Sequence, residues 1–286
     1  MLSSPVPAPA ELATPYSVNA DQIARFRRDG FIKLKHVLSA ELLAHYSREI
    51  TNQVGLRSKE TLPLAERTAY GKAFLQVMNL WTHSQVVQEF VFSPRLARIA
   101  AELMGVRGVR LYHDQALYKE PGGGLTPMHV DQYYWPLAGD AVCTVWIPLQ
   151  ATPPELGPLS FRAGSQRFKH GRELAISEES ERQLQAAFKV SDHPLVEEPY
   201  ELGEVSFHYG WTFHRAGPNN SDHPRAVMTV IYMDADMRVA VPANPHQESD
   251  LSVWLPGLKP GDHAASPLNP VLYPVDPAAR PGTAAR

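Results

Sequence analysis

The chain has 286 residues, 44% of them apolar, and a net charge of −3, so it can bury a sizeable core and lacks the basic excess of a general nucleic-acid binder. Its single cysteine, Cys143, excludes an internal disulfide and fits a reducing compartment. No apolar run approaches the roughly 18 residues of a membrane-spanning helix and no secretory signal pattern opens the chain, so we expect a cytoplasmic protein with neither membrane nor nucleic-acid partners.

The first part of the chain predicts helices behind an N-terminal tail. Residues 1–16 are rich in proline, alanine and serine, which is typical of a flexible tail. The segment SVNADQIARFRRDG predicts a helix that Asn19 or Ser17 caps and Gly30 ends, followed by the strand FIKL. A second helix is expected to begin at Ser39, and two short helices fit SQVVQEFVF and SPRLARIAAELMG.

After Gly105 the sequence changes to short β-rich runs. These are VRLYHDQALYKE, AVCTVWIPLQ, PLSFRAG, GEVSFHYG and AVMTVIYMD, separated by glycine and proline clusters. Many short strands with such turns are typical of a sandwich or barrel, so we predict an α+β protein with an all-β core. We expect residues 17–262 to form one domain and residues 263–286 to be an irregular, proline-rich C-terminal tail.

A candidate metal site lies in the stretch TPMHVDQYYW. Residues i and i+2 of an extended strand point to the same face, so His129 and Asp131 can share one ion. An ordinary polar pair at a strand end is the alternative, because an H-x-D pattern also arises by chance. Two histidines and one carboxylate are the ligands of non-haem Fe(II) oxygenases. Candidates for the third ligand are His208 and His214.

A candidate anion-binding arginine follows these histidines. Arg225 lies eleven residues after His214, at the start of the strand RAVMTVIYM. A buried arginine is costly unless it meets an anion, and its planar fork suits a carboxylate. Iron and a carboxylate-binding arginine together meet the needs of 2-oxoglutarate chemistry, since the keto acid chelates the metal and its distal carboxylate requires a cation.

Together these segments resemble the phytanoyl-CoA dioxygenases, a branch of the Fe(II)/2-oxoglutarate-dependent oxygenases. The resemblance spans roughly residues 17–262 and rests on DQIARFRRDGFIKLKHVLS, on HVD at 129–131, on His214 with Arg225, and on DAVCTVWIPLQ. It implies a double-stranded β-helix, a cupin-like jelly roll of two facing sheets with N-terminal helices packed against one side. It also implies Fe(II), 2-oxoglutarate and O2 as cofactor and co-substrates.

The resemblance assigns roles to individual residues. The implied Fe(II) ligands, which also form the catalytic centre, are His129, Asp131 and His214. Arg225 would bind the distal carboxylate of 2-oxoglutarate and Trp146 would lie beside the co-substrate, while Gln115 is either a further contact or an outward-facing strand residue. Halogenating relatives carry a small residue in place of the aspartate, so Asp131 indicates hydroxylation or another oxidative outcome. Ala216 and Gln166 depart from the family, which often has serine and histidine at these two positions.

The aromatic residues after the HVD motif are candidates for a substrate wall. If the strand continues, Tyr133 and Trp135 point inward and Tyr134 faces away; packing in the core is the alternative. His113 and His208 are interpreted as structural histidines with ordinary hydrogen bonds. The EPGGG loop is either a mobile lid or a surface turn.

The expected reaction is hydroxylation of an unactivated C–H bond of a small organic molecule, with release of succinate and CO2. An oxidative cyclase, epimerase or desaturase would use the same residues, so the motifs do not separate these outcomes. A non-catalytic jelly-roll protein that binds a ligand is the alternative from another class, and it has no need of an iron site beside Arg225. The lack of an extended basic patch favours a smaller, partly apolar substrate over a coenzyme A thioester. The sequence does not indicate the oligomeric state.

Overall fold

The computed structural model describes residues 10–274, without the side chains at positions 69, 70 and 274. Helices α1 to α8 span Ala10–Ala13, Ala20–Asp29, Ala40–Arg57, Ala69–Ala73, Gln85–Val91, Pro94–Met104, Glu178–Lys189 and Pro245–Trp254. Strands β1 to β11 span Phe31–Leu34, Leu75–Met78, Gly108–Lys119, Thr126–His129, Val142–Pro148, Leu159–Arg162, Leu195–Glu197, Val205–Tyr209, His214–Ala216, Arg225–Asp234 and Val271–Pro274. Within this part of the chain, no helix is both long and apolar enough to cross a membrane.

The N-terminal helices begin and end at residues that the sequence predicts. Asn19 caps α2 through a capping box with Gln22, and Gly30 ends that helix in the left-handed conformation, with φ of 84°. Ser39 caps α3 and Ser93 caps α6, each by accepting a hydrogen bond from a backbone N–H of the first turn. Local capping signals therefore set the register of the helical layer.

The strands form two antiparallel sheets that enclose a cavity. The larger sheet has the order β1-β8-β5-β10-β3-β11, with β2 also paired to β3, and the smaller sheet has the order β4-β9-β6-β7. Helix α6 packs against β3, β5, β10 and β11 of the larger sheet. Residues of both sheets line the cavity on the other side. The predicted α+β fold with a jelly-roll core and N-terminal packing helices is confirmed.

Alternation along the central strands separates the core from the cavity. On β5, Cys143 and Val145 pack in the core against the helices, whereas Thr144 and Trp146 line the cavity. This follows because successive side chains of a strand point to opposite faces. The larger sheet thus has an apolar outer face under the helices and a mixed inner face that builds the site.

The expectation of a flexible tail over residues 1–16 is corrected for the part that the structure describes, from Ala10 onward. Helix α1 lies inside it, Leu12 is buried, and the Glu11 carboxylate accepts hydrogen bonds from the backbone N–H and the hydroxyl of Ser39. A helix of four residues carries no apolar period, so the sequence pattern could not show it. Residues 1–9 lie outside the described residues, and the tail stays a prediction there.

The expectation of an irregular tail over residues 263–286 is corrected for the part that the structure describes, up to Pro274. Strand β11 pairs with β3, and Ala264 and Asn269 are buried. The remaining residues, 275–286, lie outside the described part of the chain. The assignment of a single domain to residues 17–262 stays a prediction.

Candidate active site

Three side chains that the sequence analysis selected lie together between the two sheets. His129 ends β4 and His214 begins β9, and the two residues are partners across the smaller sheet. Asp131 Oδ1 lies 3.6 Å from His129 Nε2 and 3.5 Å from His214 Nε2. The three ligand atoms all lie within 4.8 Å of one another. Two imidazole nitrogens and one carboxylate oxygen on one side of an ion form the facial set of non-haem iron enzymes.

Backbone carbonyl groups fix the orientation of both histidine rings. His129 Nδ1 donates to the Pro127 carbonyl at 2.7 Å, and His214 Nδ1 donates to the Thr212 carbonyl at 2.9 Å. With Nδ1 protonated, each Nε2 presents its lone pair toward Asp131. Burial, and then the proximity of His214, lowers the pKa of His129 and favours the neutral ring that a metal requires.

The second carboxylate oxygen of Asp131 is held by the larger sheet. The Thr144 hydroxyl on β5 donates to Oδ2 at 3.1 Å, and His208 Nε2 on β8 lies 3.2 Å from the same atom. Burial alone would raise the pKa of Asp131, but His214, His129 and His208 hold it well below its usual range. The carboxylate is therefore ionised, and Oδ1 is directed at the candidate metal position.

The route by which Asp131 reaches the site differs from the predicted extended strand. Strand β4 ends at His129, and residues Asp131–Tyr134 form a 3-10 turn. Val130 is still extended, with φ of −121° and ψ of 134°, which keeps the i and i+2 side chains on one side. His129 and Asp131 still point to the same side, because this requires only that the one residue between them is extended.

This 3-10 turn also changes which aromatic residues face the cavity. Tyr134 and Trp135 line it, whereas Tyr133 packs in the hydrophobic cluster that contains Met128 and Val130. The predicted inward orientation of Tyr133 and outward orientation of Tyr134 are wrong, because the turn ends the strand alternation on which they depended. A substrate contact of Trp135 stays a prediction.

The predicted anion-binding arginine lies in the same cavity. Arg225 is 1% exposed, its Nη1 donates to the Gly157 carbonyl at 2.6 Å, and its guanidinium carbon lies 5.4 Å from the centroid of the Trp146 ring. Its Nε is buried and has no hydrogen-bond partner among the described residues. Burial lowers the pKa of Arg225 to about 10, so it remains a cation at neutral pH. A buried cation with an unpaired donor fits an anionic ligand.

Gln115 lies on the cavity face of β3. Its Oε1 accepts a hydrogen bond from the Gln76 side chain of β2, and both residues line the cavity. The inward orientation is thus observed, and a contact of Gln115 with a co-substrate stays a prediction. Ala216, at the family's frequent serine position, lines the same cavity.

Two histidines interpreted from the sequence as structural residues, His113 and His208, line the cavity. His208 lines the cavity and contacts Asp131, and His113 lines it on the neighbouring part of the larger sheet. Burial lowers the pKa of His113 to about 3, so the ring is neutral. On β3, His113 shares strand parity with Gln115, and this was the available signal that both face the same side.

Residues 26–227 match the model of the phytanoyl-CoA dioxygenase (PhyH) family, and the chain belongs to this family. A probable alpha-ketoglutarate-dependent hypophosphite dioxygenase from Stutzerimonas stutzeri is 24% identical over 76% of this chain and 79% of that protein. A 1-deoxypentalenic acid 11-beta-hydroxylase from Streptomyces exfoliatus is 30% identical over 49% of this chain and 48% of that protein. The family and the dioxygenase class predicted from the sequence are confirmed.

Solved structures share the architecture. The epimerase SnoN, in complex with Fe3+, alpha ketoglutarate and nogalamycin RO, superimposes with a TM-score of 0.71 and 25% identity, covering 92% of this chain and 99% of that chain. This likeness agrees with the double-stranded β-helix that the sequence resemblance implied.

Proposed function

We propose that this protein is an Fe(II)- and 2-oxoglutarate-dependent oxygenase that hydroxylates an unactivated C–H bond of a small organic molecule. The observation that carries the proposal is the convergence of His129, Asp131 and His214 in one cavity with the buried guanidinium of Arg225. The names of the two similar proteins, one a hydroxylase and the other a probable alpha-ketoglutarate-dependent dioxygenase, support it.

The residues present fit the metal that the family implies. Neighbouring octahedral ligands at about 2.1 Å from a metal lie about 3 Å apart, so the 3.5 and 3.6 Å separations around Asp131 Oδ1 need only a small contraction. Both histidines are already held in the metal-binding tautomer by backbone carbonyls. The three protein ligands leave half of an octahedral shell for the co-substrate and O2.

The residues around the metal position bind the co-substrate, orient Asp131 and exclude water. When bound, Fe(II) with 2-oxoglutarate and O2 supplies the oxidant that inserts one oxygen atom into the C–H bond, and the co-substrate leaves as succinate and CO2. Arg225 binds the distal carboxylate of 2-oxoglutarate, and Trp146 packs beside it. Thr144 and His208 hold Asp131 in its ligand orientation, while Tyr134 and Trp135 on the cavity wall exclude water.

Anaerobic titration of the purified protein with Fe(II) and then 2-oxoglutarate tests the proposal. We expect the visible charge-transfer band of a bidentate keto acid on Fe(II), and we expect His129→Ala and Asp131→Ala to lose both the band and turnover. Asp222→Ala is the control, because the side chain of Asp222 is 98% exposed. If the wild-type protein shows no band and no 2-oxoglutarate binding by calorimetry, the non-catalytic binding protein becomes the better interpretation.

The reaction outcome requires product analysis. Hydroxylation adds one oxygen atom to the substrate, cyclisation and desaturation remove two hydrogen atoms, and epimerisation leaves the mass unchanged. The likeness to the epimerase SnoN makes epimerisation the second candidate. A product with unchanged mass and inverted configuration would favour it over hydroxylation.

A further inference from the structure

The cavity contains a carboxyl group for which the proposed reaction has no use. Asp250, on helix α8, lines the cavity together with the metal ligands. Its Oδ2 accepts a hydrogen bond from the Tyr112 hydroxyl at 2.9 Å, and Trp254 of the same helix lies beside the carboxyl group. Among the described residues, no lysine, arginine or histidine forms an ion pair with it. Its hydrogen-bond donor, the Tyr112 hydroxyl, is thus neutral, and the carboxyl group retains capacity to accept more.

The carboxyl group of Asp250 lies beside a bulge of β3 that is far along the strand from Arg225. Ile231 of β10 pairs with His113 and Tyr232 pairs with Leu111, so Tyr112 is the extra residue of the bulge. Bulges re-aim side chains, and here Tyr112 joins the cluster on the cavity side of the sheet. Arg225 pairs with Lys119, seven residues further along β3, which corresponds to roughly 20 Å of strand. Asp250 and Arg225 therefore lie toward opposite ends of the cavity.

The charges of the loaded cavity leave Asp250 without a counter-charge. The two positive charges of Fe(II) and that of Arg225 balance Asp131 and the dianion 2-oxoglutarate. His113, beside Tyr112, is neutral because burial lowers its pKa to about 3. Burial also raises the pKa of Asp250 to about 7, which reflects the cost of an unpaired carboxylate in this position. A hydrogen-bond donor on the substrate, above all a cationic one, would relieve that cost.

The walls beside Asp250 suit such a group. Trp135 and His113 line the cavity; the Trp135 ring lies 5.5 Å from that of Tyr112, and the His113 ring lies 5.6 Å from that of Trp254. Aromatic faces attract ammonium groups and also pack against apolar carbon skeletons. By contrast, an anionic group of the substrate would meet a carboxyl group and find no cation among the lining residues other than Arg225.

We propose that Asp250 is a specificity residue that accepts a hydrogen bond from an amino or hydroxyl group of the substrate and disfavours substrates with a carboxylate at that end. This rests on the proposed function, because the charge balance assumes bound Fe(II) and 2-oxoglutarate. Asp250 selects the substrate and orients it, while the iron ligands and Arg225 are common to any substrate.

Binding of matched probes to the Fe(II)·2-oxoglutarate protein under nitrogen tests the proposal. The probes are phenylalkyl and cyclohexylalkyl compounds of three to five methylene groups, each as the primary amine, the alcohol and the carboxylate, and calorimetry measures their Kd values. We expect amines to bind at least about tenfold more tightly than carboxylates of the same skeleton, as charge-assisted hydrogen bonds allow. Asp250→Asn, which keeps an acceptor oxygen, should remove most of this preference, whereas Asp222→Asn should leave it unchanged.

The possible results separate the two donors and decide the proposal. An amine preference that Asp250→Asn removes supports a cationic substrate group. Equal binding of amines and alcohols that only Asp250→Ala weakens supports a hydroxyl group. The proposal is overturned if carboxylates bind most tightly, if the order does not depend on Asp250, or if no amine or alcohol binds. The charge-transfer band, recorded first in each sample, reports the Fe(II) and 2-oxoglutarate site independently, so a failure of the proposed function is seen as loss of the band in the wild-type protein.

Discussion

The guanidinium of Arg225 is the cation among the residues that line the cavity, and its burial makes it dependent on an anionic ligand. We predict that Arg225→Gln raises the Kd for 2-oxoglutarate by about 10²- to 10³-fold, because a charge-assisted contact with a desolvated carboxylate is lost. Calorimetry of the Fe(II)-loaded protein measures this. Fe(II) affinity without 2-oxoglutarate should stay unchanged, which shows that the variant is folded.

The matched control for this substitution is Arg107→Gln, since the Arg107 side chain is 86% exposed and pairs with Asp236 at the surface. If the Kd of Arg225→Gln for 2-oxoglutarate stays within about threefold of the wild-type value, Arg225 does not bind the co-substrate.

A second prediction at the level of single residues concerns the hydrogen bond from Thr144 to Asp131 Oδ2. Thr144→Val keeps the shape of the side chain and removes the donor, so Asp131 loses part of its fixed orientation. We expect Fe(II) affinity to fall by about tenfold or more, as for other groups that orient metal ligands. Competition with a fluorescent chelator measures the Kd.

Thr229 provides the comparison for Thr144. It is equally buried in the same cavity, but its hydroxyl donates to the Gln115 carbonyl at 3.2 Å and does not contact Asp131. Equal losses of Fe(II) affinity in Thr144→Val and Thr229→Val would mean that general disturbance of the cavity, and not the orientation of Asp131, causes the effect.

Among the connecting elements, the loop between β9 and β10 is tied to the EPGGG loop by Asn219. The Asn219 side chain is fully buried; its amide donates to the carbonyls of Lys119 and His223, and its oxygen accepts from the N–H and hydroxyl of Ser221. Its backbone exchanges hydrogen bonds with Gly122 and Gly123. The glycine loop is thus anchored at its centre, which favours the surface turn over the mobile lid.

Asn219→Ala removes the four side-chain hydrogen bonds and takes a donor from the buried carbonyl of Lys119, so we predict a loss of about 2–4 kcal/mol in the free energy of unfolding. Because Arg225 follows this loop directly, the Kd for 2-oxoglutarate should also rise. Urea denaturation and calorimetry measure the two effects. Asn220→Ala is the neighbouring control: Asn220 is exposed, and its change should stay within about 0.5 kcal/mol. Equal stability of the two variants would contradict the anchoring role.

Elements with local signals were predictable from the sequence. The start of α6 is marked by Ser93 and Pro94 and its end by Gly105, and the strands that carry Gln115, Trp146 and Arg225 appear as short β-rich runs between turns. Helix α7 was not predicted although Ser177 caps it and the buried Leu184 and Phe188 are four residues apart, and helix α8 was not predicted either. Only Gln247 is buried in α8, so that helix has no apolar stripe, and its position depends on contacts with distant segments.

The candidate site was also predictable from the sequence only where its residues are close along the chain. His129 and Asp131 are two residues apart, and their shared direction follows from one extended residue. His208 lies 77 residues from Asp131, and its contact depends on the pairing of β8 with β5, which no local pattern specifies. The family resemblance supplied His214 and Arg225, but the residues that orient Asp131 required the three-dimensional structure.

At the scale of the whole molecule, the N-terminal segment joins the helical layer that supports the larger sheet. Leu12 is 1% exposed and belongs to the same apolar cluster as the outer faces of β5 and β10. Glu11 connects this segment to α3 through Ser39 and pairs with Arg95 of α6 at 3.2 Å. Removing the Leu12 side chain should therefore disturb the core and not a solvated tail.

Leu12→Ala should lower the free energy of unfolding by about 2–4 kcal/mol, since it deletes buried methyl groups and leaves a cavity. At about 2–4 °C per kcal/mol for a chain of this size, Tm should fall by roughly 5–15 °C. Leu56→Ala is the matched control, because Leu56 is 69% exposed and its truncation should change stability by about 0.5 kcal/mol or less. Equal Tm values for Leu12→Ala and the wild-type protein would favour the flexible tail over a packed α1. A fall in Tm with unchanged Fe(II) affinity would show that α1 stabilises the outer face of the sheet without shaping the site.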